Sequence, residues 1–407
     1  MTAMRTLLFS LLLICSFPAL TQDSLLIEAI QKNTTVLQVK GDFFTGPGAA
    51  VLQEAIADQQ FLLVGEQHGI AEVGQFTKAL YLAAQSYGFQ YLCIETDPFI
   101  AAKLERLMEG DLAAYRDFCA KFPFTIPFYN NEGDFEFLQR VATSSKGRKP
   151  VFWGIDQVFA GAPRYLFAHL AKIAPNEEAK DLALDYLEKG QAGVDHFMQT
   201  GDQGKTLLAI LGQEDYAQLY RVFGQQAGAE STRILQGLQK TQEIYGYYFQ
   251  GRQFDNNHTR ALLMKEQFLE YYRAAKERDP QPKVVFKFGA SHMYKGLSYY
   301  DQLDIGNMIH EMADMNGTGS LHIYFAGVKG ETQGAMGPPQ AFDHTDDLNP
   351  LIAQALKDRL EGSDWLLIDL RPLRHGFSSK KLKPLRDIVF SFDLMVLVPR
   401  ANPVSQF

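Results

Sequence analysis

The sequence predicts an α/β protein: a mostly parallel β-sheet flanked by helices, with a large all-helical insertion covering the site. Three observations predict it. Short apolar runs bounded by glycine or turn residues recur along the chain, as at Phe61–Val64 and Tyr91–Ile94, the pattern of strands covered on both faces. Segments with apolar residues at helical spacing alternate with these runs. From about residue 164 to 279, helical segments follow one another with no convincing strand.

In chain order, Phe61-Leu62-Leu63-Val64 runs straight into Gly65-Glu66-Gln67-His68-Gly69. A helical pattern follows from about Glu72 to Tyr87. Glycine at each end of this motif lets the chain turn sharply. The second strand, Gln90 to Glu95, ends at Glu95-Thr96-Asp97-Pro98. One helical stretch is expected from about Ile100 to Ala120, then an aromatic loop from Phe122, then a helix from near Asp134 that uses Phe135, Leu138 and Val141. Pro150 to Gly154 reads as a third strand, ending at Ile155-Asp156. The insertion should open with Arg164–Ala174, Glu177–Gly190 and Gly193–Gln199 as separate helices and close with Asn256–Arg278. Strands resume at Lys283–Phe288, leading into Gly289-Ala290-Ser291-His292-Met293. Leu321–Phe325, Trp365–Ile368 and Ile388–Val398 read as the remaining strands, the partly alternating Val389–Asp393 being antiparallel or at an edge.

The 407 residues are 46% hydrophobic and 21% charged, which suits a folded globular protein. A formal net charge of −8 with no extended basic patch argues against binding nucleic acid or an anionic membrane. Residues 1–22 read as an export signal: Arg5, then an apolar run from Leu7 to Cys15, then small residues before a cleavage point near Gln22. That run is too short to span a membrane. Ile14 ahead of Cys15 ranks a lipoprotein signal second to plain export. The expectation is therefore a single exported domain, residues 23–407, periplasmic or extracellular, acting on a small-molecule substrate. The mature chain keeps only Cys93 and Cys119, too few for a disulfide scaffold.

Each of four strands delivers polar residues just past its last apolar position: Glu66 and His68, Glu95 with Asp97, Asp156, and Ser291 with His292. In a parallel sheet these ends share one rim. A histidine beside a carboxylate is a general base, and a second histidine can protonate a leaving group or stabilise an oxyanion. The same set also suits a divalent metal. No HExxH helix, cysteine ligand set or Gly-x-Ser-x-Gly elbow is present, so water activated by His68 is the economical reading.

These motifs, with Glu72 and the segments Asn256–Met264 and Asp304–Met308, resemble the erythromycin esterase-like superfamily, which is similar to haem-iron-binding ChaN-like proteins and Tiki-type metalloproteases. Two departures stand out. One residue separates Glu66 from His68, as in the ChaN-like and Tiki-like branch, where the esterases usually have two. Position 289 is glycine, where the esterases carry a further histidine.

The resemblance implies a hydrolase acting on an ester, lactone or amide, with Glu66, His68, Glu95, Asp156 and His292 as catalytic residues. Glu72, Asp97, Asn257, His258 and Arg260 would bind substrate, and Arg260 would anchor a carboxylate or oxyanion. No cofactor is required on this reading. The alternatives are haem or iron binding, or a metal-dependent peptidase with His68, Glu95 and His292 as ligands.

Overall fold

The computed structural model describes residues 17–407, apart from 127, 146, 227–228 and 335–336, with side chains from residue 23 onward. The expected export signal lies almost wholly outside the described residues; the backbone from Phe17 runs as a helix to Lys32.

Among the described residues, ten strands form one sheet. They are β1 (Thr34–Lys40), β2 (Phe43–Thr45), β3 (Gln59–Glu66), β4 (Tyr91–Ile94), β5 (Phe152–Gly154), β6 (Val284–Gly289), β7 (Gly319–Thr332), β8 (Gln340–Asp343), β9 (Trp365–Asp369) and β10 (Leu394–Ala401). Their order is β2-β1-β9-β10-β7-β3-β6-β4-β5, with β8 paired to β7 off this path. From β10 to β5 every neighbouring pair is parallel. The pairs β9 with β10, β1 with β9 and β2 with β1 are antiparallel. The sheet is thus mixed but mostly parallel, with helices on both faces.

Strand alternation builds the two cores. Leu62 and Val64 of β3, Leu92 and Ile94 of β4, and Val396 and Val398 of β10 pack into one buried cluster. Their alternates Phe61, Leu63, Tyr91, Cys93, Met395 and Leu397 pack into the other. Successive side chains of a strand point to opposite faces, so a strand covered on both sides needs an unbroken apolar run. Each fully buried side chain of this size contributes roughly 1.5–3 kcal/mol.

Central strand β3 has β6 on one side and β7 on the other. The chain places β4 and β5 beyond β6, inserts β6 next to β3, then crosses to β7. Such a reversal of strand order opens a crevice at the carboxyl ends.

Several elements differ from expectation. The stretch Ile100–Ala120 is two helices, Pro98–Leu107 and Leu112–Lys121; Asp111 restarts the chain by accepting the Ala114 N–H at 2.9 Å. Conversely, Glu177–Thr200 is one helix. Gly190 and Gly193 do not break it because they serve packing: a Cβ would lie 2.7 Å from Leu207 Cδ1 at the first and 2.2 Å from the Lys205 carbonyl oxygen at the second. Helix–helix approach, not helix termination, explains these glycines. At the C-terminus, Arg386–Ser391 is helical. β10 starts only at Leu394 and lies inside the sheet, parallel to β7 and antiparallel to β9. The insertion comprises helices from Ala162–Lys172 to Glu230–Phe249 and Gln253–Lys276. Cys93 and Cys119 are buried free thiols.

Candidate functional site

The carboxyl ends of the central strands lie level, since Glu66 pairs with Gly289 and Ile94 pairs with both Lys287 and Gly154. Glu66, Glu95, Asp156 and His292 consequently share one buried rim, which the partly exposed His68 completes. Close backbone approaches fix the turns. A Cβ on Gly154 would sit 2.4 Å from the Asp97 carbonyl oxygen, and the Asp156 N–H donates to the Thr96 carbonyl at 2.9 Å. Gly69 has φ +82° and lies against Gln333, a left-handed conformation that glycine adopts without strain. The hydroxyl of Thr332 donates to the His68 carbonyl at 2.9 Å, which pins the loop to the end of β7.

Two histidine–carboxylate pairs face each other across Glu95. His68 Nδ1 lies 2.9 Å from Glu66 Oε1, and its Nε2 lies 3.6 Å from Glu95 Oε2. His292 Nδ1 lies 2.8 Å from Asp304 Oδ2, and its Nε2 lies 3.6 Å from Glu95 Oε1. A carboxylate on Nδ1 holds the proton there and leaves Nε2 for chemistry. Glu95 is itself held at both oxygens. The Gly289 N–H donates to Oε2 at 2.6 Å, and Arg260 donates to Oε1 at 2.9 Å. Arg260 also grips Asp156 through Nε at 2.8 Å and Nη2 at 2.5 Å.

The charges are balanced by the protein's own cations. Burial opposes ionisation of Glu66, but the Lys287 ammonium at 2.9 Å and His68 outweigh it and lower its pKa. Burial likewise opposes ionisation of Glu95, yet His68, His292 and Arg260 bring its pKa down to about 2. For His292, burial favours the neutral ring, but Asp304 prevails and the pKa rises. The site therefore holds ionised carboxylates, with His292 biased toward its charged form.

Above the rim lies a cavity of about 440 Å³, lined among others by His68, Phe128, Phe159, Tyr245, Arg260, His292 and Tyr300. The His68 ring stacks on Phe128 with centroids 3.8 Å apart. Both rings also border a second cavity of about 180 Å³ that reaches Lys287 and Asp134.

The other expected substrate-binding residues are placed differently. Arg260 reaches the site and lines the cavity, with its Nε and Nη2 engaged by Asp156 and Glu95. Glu72 is buried and ties down the C-terminal segment, accepting from the Asn402 backbone at 3.1 Å and from Asn402 Nδ2 at 2.7 Å. Asp97 caps the helix Pro98–Leu107, accepting from Phe99 N and Ile100 N at 2.9 Å each; burial lifts its pKa to about 7. His258 is exposed, stacked on Phe254 and 3.2 Å from Gln302. Neither it nor Asn257 lines the cavity.

Sequence reasoning missed Lys287, Asp304 and Phe128. Lys287 left a signal, being the one charge inside Val284-Val285-Phe286-Lys287-Phe288. Asp304 opens a segment that carries the resemblance but is given no role in the site by it; it also caps a helix, accepting from Ile305 N at 2.6 Å. Phe128 carries no sequence signal beyond its aromatic loop.

The donor set around Glu95 does not suit a resident divalent ion. Both oxygens of Glu95 already accept hydrogen bonds, and Arg260 and Lys287 supply the positive charge that an ion would bring. Among the described residues, no group of three or more His, Cys, Asp and Glu is arranged to hold a metal.

No protein-family model matches this sequence, and no curated protein matches it. Solved structures do share its fold. A Bacillus cereus protein superposes with a TM-score of 0.60 at 12% identity, covering 95% of this chain and 99% of its own. A mutant erythromycin esterase, EreC, in its open conformation gives 0.56 at 16% identity, covering 91% and 98%. A succinoglycan biosynthesis protein gives 0.55 at 12% identity, covering 94% and 98%. The chain thus shares its fold with an erythromycin esterase over nearly its whole described length.

Proposed function

We propose that this protein is an exported hydrolase of the erythromycin esterase type, cleaving an ester or lactone with water activated by His68. One observation carries the reading. Two imidazoles, each fixed through Nδ1 by its own carboxylate, turn Nε2 toward opposite oxygens of Glu95 under an open cavity.

The two histidines divide the work. His68, partly exposed with a side-chain accessibility of 32%, accepts a proton from water at Nε2. A water seated over the gap to Glu95 reaches both groups, and Glu95 orients its lone pair toward the carbonyl carbon. As the carbon–oxygen bond to water forms, negative charge grows on the carbonyl oxygen. His292, biased toward the imidazolium by Asp304, donates to that oxygen. The tetrahedral species then collapses, the bond to the leaving oxygen breaks, and the proton on His68 passes to the departing alkoxide. The products are a carboxylic acid and an alcohol, and both histidines return to their starting states. Glu66 and Lys287 hold His68 in the required tautomer, while Arg260 holds Glu95.

The mechanism routes no step through a metal. Turnover of p-nitrophenyl acetate and of simple lactones, assayed with and without a divalent-metal chelator, tests it. Equal rates in both are expected; a rate abolished by chelation and restored by zinc or manganese would overturn it.

A further inference from the structure

The loop between His292 and Asp304 reverses the usual distribution of polarity. Two of its polar residues, Ser298 and Gln302, are buried at 4% and 3% exposure, whereas Leu297, Tyr299, Tyr300 and Leu303 stand exposed at 57%, 79%, 46% and 54%, beside the exposed Asp301. Folding alone favours the opposite arrangement. The reversal is built in. Leu297 bridges to Leu303, the Ser298 N–H donates to the Gln302 carbonyl at 2.9 Å, and Gln302 Oε1 meets His258 at 3.2 Å. The loop is therefore anchored by its polar side and presents its apolar side outward.

The exposed face is continuous with the cavity. Tyr300 lines the cavity directly, opposite Tyr245. Tyr299 packs edge-on against Tyr300 with centroids 5.5 Å apart, and Phe249 lies 6.1 Å from Tyr245. Phe254, 59% exposed, reaches the same loop through its stack on His258. Exposed apolar side chains gathered at a cavity mouth mark a binding surface. Because it leads directly to the two histidines, its occupant is part of the molecule whose bond is cleaved. A net charge of −8 makes an anionic bilayer a poor partner for it.

We infer that the substrate is an amphiphile: an ester whose reacting carbonyl enters the polar cavity while a long apolar chain lies along this rim. The inference rests on the hydrolase reading and names its substrate class. The chain gains affinity by leaving water, so preference should rise with its length.

The full chain and a Tyr299→Ser/Leu303→Ser variant would be assayed on p-nitrophenyl acetate and p-nitrophenyl decanoate, the latter below its aggregation concentration. The wild type should prefer decanoate by tenfold or more in kcat/KM, and the double variant should lose at least tenfold of that preference, chiefly through KM. An unchanged decanoate-to-acetate ratio overturns the inference while leaving the hydrolase reading intact. A protein that turns over neither these esters nor simple lactones removes the hydrolase reading. The rim is then tested by fluorescence of Nile red, a neutral apolar probe: binding by the wild type and its loss in the double variant support an apolar ligand, and equal signals contradict one.

Discussion

The His68 and His292 ends of the site are built alike and situated differently. Each imidazole is held by a carboxylate on Nδ1 and turned toward Glu95. His68 is one-third open to solvent and faces two cavities, while the side chain of His292 is 8% exposed. The anchors differ too. Glu66 is ion-paired with Lys287 as well as His68, whereas Asp304 makes its ion pair with His292 and raises its pKa. On the proposed mechanism these distinct environments assign opposite roles to one residue type: the open ring takes a proton from water, and the enclosed ring, its pKa raised by Asp304, favours the charged form. His322 extends the contrast. It is buried as completely, but it contacts Ser320 and the Met293 carbonyl; burial and nearby Lys295 depress its pKa to about 3, which leaves it neutral and structural.

The contrast can be broken most severely at Arg260, which holds Glu95 on the His292 side. Arg260→Ala leaves Asp156 and Glu95 buried without their cation, and loss of one partner from such a cluster costs about 3–5 kcal/mol. Urea unfolding at neutral pH should show a destabilisation of that order. Because Glu95 is ionised down to about pH 2, its contribution is present above the usual carboxylate range and fades as pH falls toward 2. The wild-type and variant curves should therefore converge in acid.

Asp304→Asn sharpens the comparison. Asparagine still caps the following helix but withdraws the charge that keeps His292 protonated. Activity that needs charged His292 declines as pH rises through its pKa, and removing Asp304 lowers that pKa. The alkaline limb of kcat/KM should move down by about 1–2 pH units, with the rate at pH 7 falling correspondingly. An unmoved limb would detach His292 from the acid role.

Gly289→Ala probes the other end. A Cβ there would lie 2.8 Å from His68 Nε2, so the ring must swing aside. A displacement of this size near the reacting atoms should cost about tenfold in kcat/KM, with little change in melting temperature because only a side-chain end moves. The same contact explains why glycine suits position 289 in this chain.

The site was readable in the sequence where chemistry follows a strand. Glu66, Glu95 and Asp156 each stand one or two positions past an apolar run, and His292 stands four past Phe288; a parallel sheet brings such positions together without further information. Partners set by long-range pairing were not readable. Asp304 meets His292 from 12 residues away, and Glu72 finds Asn402 across 330. Local periodicity encodes neither. The same limit hid β1 and β2, whose residues are only partly buried, and put the last strand several residues early, because a helix and a strand share the apolar stretch from Ile388 to Val398.

The most direct test of the account is His68→Ala on whichever ester the wild type turns over best, with the fold checked by circular dichroism. The partly exposed His68 side chain is held by Glu66, Phe128 and Glu95 and bridges no two elements of the core, so the variant should fold. The account predicts that kcat/KM falls by about 10²–10⁴-fold, the range for loss of a general base. A folded variant within twofold of the wild type would contradict it.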